Sequence, residues 1–254
     1  NLDAFVNTSA VNCNQVQEEA NTWTALTSTF NTRVVPEGTY FDASGPCFSQ
    51  GGDKETRQFL LGLTNSKVFD ALVHVIYPEN VLGSMRPKDL ANLPVVDTYK
   101  TEISEYVEQL ISLAKEDWHS IETSWGFENS PWLDTNFDGA SNEIETHYKA
   151  LEDKTRGFIK RVSELETIVN QYVIQSYKLE EVFSADILNS ELAYHNNPYY
   201  LKPLETGQLN EEYEQDIWGA YRANKVQALI SYGIGCVLGR YRVGKTSVTY
   251  AGLA

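Results

Sequence analysis

Two stretches of this chain carry residues at spacings that do chemistry elsewhere. Gly239, Gly244, Lys245 and Thr246 meet every fixed position of G-x-x-x-x-G-K-[ST]. In that pattern backbone amides wrap phosphates and the lysine reaches the outer two. Residues 134–145, "DTNFDGASNEIE", fit D-x-[DN]-x-[DN]-G-x5-E. As a calcium loop, Asp134, Asn136 and Asp138 would offer side-chain oxygens, Ala140 a carbonyl and Glu145 a bidentate carboxylate, with Gly139 making the sharp turn.

The elements around each stretch decide how it reads. A phosphate loop needs a strand before it and a helix after it. Here "KVQALISYGIGCVLG" reads as helix, and only eight residues follow Thr246. No hydrophobic strand ends in a second, metal-holding Asp, so the context argues against a nucleotide. The calcium loop is preceded by Pro131, which interrupts an entering helix, and it has Ser141 where such loops usually carry an apolar residue. An Asx-rich loop capping the next helix explains the same residues, and calcium stays as the alternative.

His74, His119, His147 and His195 are scattered and form no nucleophilic arrangement with Ser, Cys or Asp. Cys13, Cys47 and Cys236 are odd in number, with no metal-ligand spacing, which predicts buried thiols in a reducing, cytoplasmic compartment.

Apolar periodicity supplies the frame. Residues 15–30 read as helix, and "TRVVPEGTYFDASGPCFS" reads as short strands and turns. Asp53 caps a helical stretch that breaks near Thr64 and Asn65. Residues 97–128 read as one helix, and 142–178 as the longest, with Ile144, Tyr148, Leu151, Phe158, Val162, Leu165, Ile168, Val169 and Tyr172 at three- and four-residue steps. A helix of that length needs an antiparallel partner, and the 97–128 helix is the natural one. Residues 179–210 read as irregular. Residues 211–238 read as a last helix, with Glu211, Glu212, Glu214 and Asp216 at its positive end and Gly233, Gly235 and Gly239 loosening it. The fold class is α+β, predominantly helical: a small mixed part over 1–96, a helical spacer over 97–178, and an irregular segment plus helix over 179–254.

The net charge of −15 sets the body of the chain against nucleic acid. After Asp216, however, no acidic residue follows, while Arg222, Lys225, Arg240, Arg242 and Lys245 are basic. These five are the candidates for contact with a DNA backbone. No apolar run is long enough to span a membrane. The chain opens on Asn rather than Met, which predicts a fragment or a processed chain.

Several blocks together resemble one family. "HNNPYY" (195–200) resembles the N-P-P-[YFW] loop of amino-methyltransferases, but Tyr199 stands where the second proline belongs, and a proline-broken turn is the preferred reading. "TWTALTSTFNTRVVPEGTYFDASGPCFS", "FLLGLTNSKVFDALVHVIYPE" and "RPKDLANLPV" resemble the segment after the catalytic core of large adenine-specific DNA methyltransferases. "SLAKEDWHSIETSWGFENSPWL" is similar to a characteristic block of the PglX-type methyltransferases of BREX phage defence, most specifically at Lys115-Glu116-Asp117-Trp118 and Glu122-Thr123-Ser124-Trp125. "NPYYLKP", "ALISYGIGCVLGRY" and "TYAGLA" resemble that family's later blocks, in the same order.

The resemblance implies a portion of an S-adenosylmethionine-dependent enzyme that methylates adenine in double-stranded DNA. It also implies that the cofactor loop and the catalytic loop lie outside this chain, so no catalytic residue carries over. In this reading the chain positions DNA, or links catalytic and recognition lobes. The competing readings are a protein-interaction module that binds other phage-defence proteins or a phage inhibitor, and a small calcium-binding protein.

Overall fold

The computed structural model describes residues 14–16, 18–24, 30–41, 45–49, 52–76, 90–133, 144–201 and 210–242. The chain divides into two units. Asn1–Ile111 with Leu165–Asp186 forms the first, and Ser112–Glu164 with Ile187–Ala254 forms the second.

The first unit begins with short antiparallel strands. β1 (Asn14–Gln15) pairs with β4 (Tyr40–Phe41). β2 (Ala20–Trp23) lies between β3 (Thr32–Val35) and β5 (Cys47–Phe48). The helix expected over 15–30 is therefore corrected: Ala20–Trp23 is strand, buried along its whole length. Its Asn21 amide donates to the Arg57 carbonyl at 2.9 Å, and its Trp23 ring packs on Phe48. Burial between two neighbouring strands outweighs the helical spacing of so short a segment.

α1 (Lys54–Thr64) starts where expected, with Asp53 accepting the Thr56 N–H at 2.7 Å. It ends at Asn65, whose side-chain amide pairs with the Thr32 N–H and carbonyl at 2.8 and 3.0 Å, as a strand would. α2 (Lys67–Ile76) then leaves at 69° to α1. The Ser66 hydroxyl accepts the Phe69 N–H at its start.

Trp23, Phe48, Phe59, Leu63, Phe69 and Ile103 fill the core of this unit. Each such side chain stabilises by about 1.5–3 kcal/mol on burial.

Two long helices, α3 (Lys100–His119) and α4 (Ile144–Tyr177), contribute to both units by residue range. In the first unit the Tyr177 hydroxyl donates to the Pro94 carbonyl, Tyr99 packs on Tyr172, and Ile103 and Val107 meet Val169 around Gly62. One set of numbers rises as the other falls, so the pairing is antiparallel, as expected of the two long helices. A Cβ on Gly62 would stand 2.7 Å from Val107 and 2.8 Å from Ile103, so only glycine lets α1 sit this close.

α3 is shorter than the 97–128 expected. It stops at His119, where the Ser120 hydroxyl takes the Asp117 carbonyl at 2.7 Å and competes with the helical ladder.

The second unit holds the rest of α3 and α4, α5 (Pro198–Leu201) and α6 (Glu211–Val237). Asn210 caps α6 by accepting the Tyr213 N–H at 2.9 Å. No single helix among the described residues is long and apolar enough to cross a membrane.

Candidate functional site

The block most specific to the resemblance builds a junction in the second unit. Asp117 lies in the last turn of α3, where the helix dipole disfavours a negative charge, and it is only 7% exposed. Its carboxylate accepts the His195 N–H at 2.7 Å, the Asn196 N–H at 3.0 Å and the Asn196 side-chain amide at 2.7 Å. The same Asn196 amide donates to the Ser120 hydroxyl at 2.8 Å. The Asn196 side-chain oxygen Oδ1 accepts from the Lys225 ammonium. One chain of hydrogen bonds thus ties the end of α3, the 195–196 turn and the middle of α6. Burial pushes the Lys225 ammonium down to about 8, with the Asp117 charge opposing that fall.

The rest of "HNNPYY" is taken up by the same purpose. Asn197 is fully buried and donates to the Asn189 and Leu192 carbonyls, both at 2.7 Å. Its oxygen accepts the Tyr199 N–H at 3.1 Å, with Pro198 as the first residue of α5. The stretch is the proline-containing turn preferred from the sequence.

Beyond it, the Tyr199 hydroxyl and the Trp218 N–H both donate to the Glu214 carboxylate, at 2.7 and 3.1 Å. The Arg156 guanidinium lies 3.7 Å above the Trp218 ring. Tyr221 shares a 2.6 Å hydrogen bond with Thr155, and burial pushes its phenol up to about 12.

The five basic candidates fall into different surroundings. Arg240 and Arg242 are exposed together at the end of α6. Arg222 lines a hollow of about 670 Å³ beside Glu145, Glu152 and Asp153, so acidic groups offset its field. Lys225 turns inward onto Asn196, at the edge of a cleft of about 870 Å³ shared with Asp117, Lys154, Thr155 and Phe158. Lys245 lies outside the described residues.

Of the calcium-loop residues, Asp134, Asn136, Asp138 and Ala140 also lie outside them. Glu145 is described: it is exposed in the first turn of α4, 2.7 Å from Lys149, whose hydrogen bond holds its carboxyl below the usual range. The residues before the loop, Pro131–Leu133, form a 3₁₀ turn. Among the described residues no group of three His, Cys, Asp or Glu could hold a metal ion.

The phosphate-loop pattern starts on a helix end. Gly239 has φ +77, and its N–H reaches the Cys236 carbonyl while the Arg240 N–H reaches the Gly235 carbonyl at 2.8 Å. This is a Schellman stop, which needs the left-handed conformation that glycine adopts freely. Gly244, Lys245 and Thr246 lie outside the described residues. The Asp117 junction was not read from the sequence. The signal available for it was a carboxylate in the last turn of a helix, which calls for donors from elsewhere in the chain.

No protein-family model matches the chain. It is 28% identical over 239 residues to the adenine-specific methyltransferase PglX of Lacticaseibacillus casei (strain Zhang), covering 92% of this chain and 17% of that protein. It is 25% identical over 240 residues to the adenine-specific methyltransferase BrxX of Escherichia coli O9:H4 (strain HS), covering 92% of this chain and 18% of that protein. The chain therefore spans less than a fifth of the length of these relatives. Over nearly all the residues it has, the chain is similar to a segment of the PglX and BrxX adenine-specific methyltransferases.

Proposed function

We propose that this chain is a non-catalytic portion of a site-specific DNA adenine-N6 methyltransferase of a phage-defence system, one that positions DNA or links the catalytic and recognition lobes. Residues 1–96 belong to the recognition-like region, 97–178 to the helical spacer, and 179–254 to the segment that closes on it. The observation that carries this reading is the Asp117 junction: the residues most specific to the resemblance hold three chain segments at fixed positions. Fixed positions are what a spacer supplies, because a base flipped into a catalytic pocket must lie at a set distance from the bases being read.

S-adenosylmethionine belongs to the parent's activity in this reading, and no residue of this chain is assigned to it. Free thiols at Cys47 and Cys236 fit a cytoplasmic setting.

Arg240 and Arg242, with Arg222 and Lys245, are the proposed phosphate contacts. They add salt-dependent affinity without sequence preference. Titrating the chain with duplex DNA at about 50 and 200 mM salt tests this. Two to four phosphate contacts predict a roughly ten- to hundredfold loss of affinity between those conditions. No binding at the lower salt removes the DNA-contacting role and leaves the linking one.

A further inference from the structure

The turn after α3 presents an indole to solvent on a fixed frame. Trp125 is 98% exposed. The Ser124 N–H donates to the Ile121 carbonyl at 2.9 Å, the Phe127 N–H to the Ser124 carbonyl at 3.2 Å, and the Gly126 N–H to the Ser124 hydroxyl at 3.2 Å. Gly126 lies against the His119 ring, where a Cβ would stand 2.3 Å from it. Phe127 then anchors the turn: it packs edge-on against Tyr232 and Tyr241, with ring centroids 6.2 and 5.5 Å away. Those two tyrosines stack on each other at 5.0 Å.

This cluster joins the turn to the end of α6. The Tyr241 ring seats on Gly235, where a Cβ would stand 2.6 Å away, and the N–H groups of Arg240 and Tyr241 both reach the Gly235 carbonyl. Arg240 and Arg242, on either side of Tyr241, are exposed. Trp125 is two residues from Phe127, so one aromatic cluster carries an exposed indole and two guanidiniums. Glu122 turns its charge inward: its Oε1 is buried, and its Oε2 accepts the Ser231 and Tyr241 hydroxyls at 3.1 and 3.5 Å. Glu128 lines the cleft shared with Asp117. An aromatic ring beside cations is the arrangement that holds single-stranded nucleic acid, because every base offers a π-face and phosphates flank it. We propose that Trp125 stacks on an unpaired DNA base while Arg240 and Arg242 hold the phosphates beside it. The inference rests on the phosphate contacts proposed above for these two arginines. Base flipping supplies such a base, since it leaves the opposite base without a partner.

Titration of the chain at about 50 mM salt with two duplexes of one sequence, one fully paired and one carrying a single unpaired base, reads the contact. The chain should bind the second roughly five- to hundredfold more tightly. Trp125→Ala removes that preference and Trp125→Phe keeps most of it. Neither changes the salt dependence, because the ring carries no charge. Arg240→Gln does the reverse: it lowers the salt slope by about one and leaves the preference in place. The Trp125 side chain stands in solvent, so its removal leaves the fold intact. Equal affinity for the two duplexes, or a preference indifferent to Trp125→Ala, overturns the stacking and leaves the phosphate contacts standing. A loss on Trp125→Ala that is the same for both duplexes also overturns it. No binding of either duplex overturns the stacking and the phosphate contacts together.

Discussion

Replacing Asp117 by Asn keeps the volume of the side chain and removes its charge. The carboxylate accepts three hydrogen bonds, two from backbone N–H groups and one from the Asn196 amide. An asparagine turned to its best orientation keeps the two bonds from Asn196 on its oxygen. Its own NH2 then faces the His195 N–H, donor against donor. One charge-assisted bond is lost, at about 1.5–3 kcal/mol, and one backbone donor is left without a partner. Lys225 loses the negative neighbour that supports its charged form. Together the loss is about 3 kcal/mol, and Asp117→Ala, which abandons all three bonds, costs about 4–5 kcal/mol. Against a total stability of about 5–15 kcal/mol this is a large fraction. Equilibrium unfolding in urea, followed by circular dichroism, measures it as a lower midpoint at an unchanged slope. Asp117→Ala combined with Asn196→Ala should cost less than the two singles added, by about 1 kcal/mol or more, because both break the same network. A loss below about 1 kcal/mol for Asp117→Asn would refute the reasoning, since no buried carboxylate with these partners is so weakly engaged.

Two further outcomes follow from other positions. Lys225 has its folded pKa depressed to about 8, below its unfolded value near 10.4, so the unfolded chain binds the extra proton between those values and stability rises with pH across that window. Below pH 8 the full cost of the buried charge is present, at most about 3 kcal/mol, so the stability of Lys225→Met relative to wild type should fall by up to that amount between pH 8 and pH 10. Parallel urea curves at a series of pH values give that difference directly. In the first unit, Gly62→Ala forces a Cβ against Val107 and Ile103 at under 3 Å and should destabilise by about 1–3 kcal/mol, read as a lower thermal midpoint.

What the sequence revealed depended on how far apart the partners lie. The Asp53 cap involves residues three apart, the break at Thr64–Asn65 interrupts a local period, and α4 and α6 each hold their apolar spacing to within a residue or two of their ends. All of these are written in neighbouring residues. The hydrogen bonds of Asp117 reach 78 and 79 residues along the chain, and nothing in a local pattern names His195 or Asn196 as their donors. Lys225 shows the same limit: its position on α6 marks it as basic, but whether it points to solvent or to Asn196 depends on a turn 29 residues earlier. The run over 15–30 went astray because Ala-Asn-Thr-Trp is too short for its period to distinguish strand from helix, and the sheet decided it.

The way Asp117 holds the 195–196 turn also marks a place to observe it. At position 195 the grip is on the main-chain N–H alone, while the imidazole stands exposed. A spectroscopic reporter attached at that residue would ride on the tie without replacing any group that makes it. Whether the turn opens, and how often, could then be watched directly while every hydrogen bond of the tie stays in place.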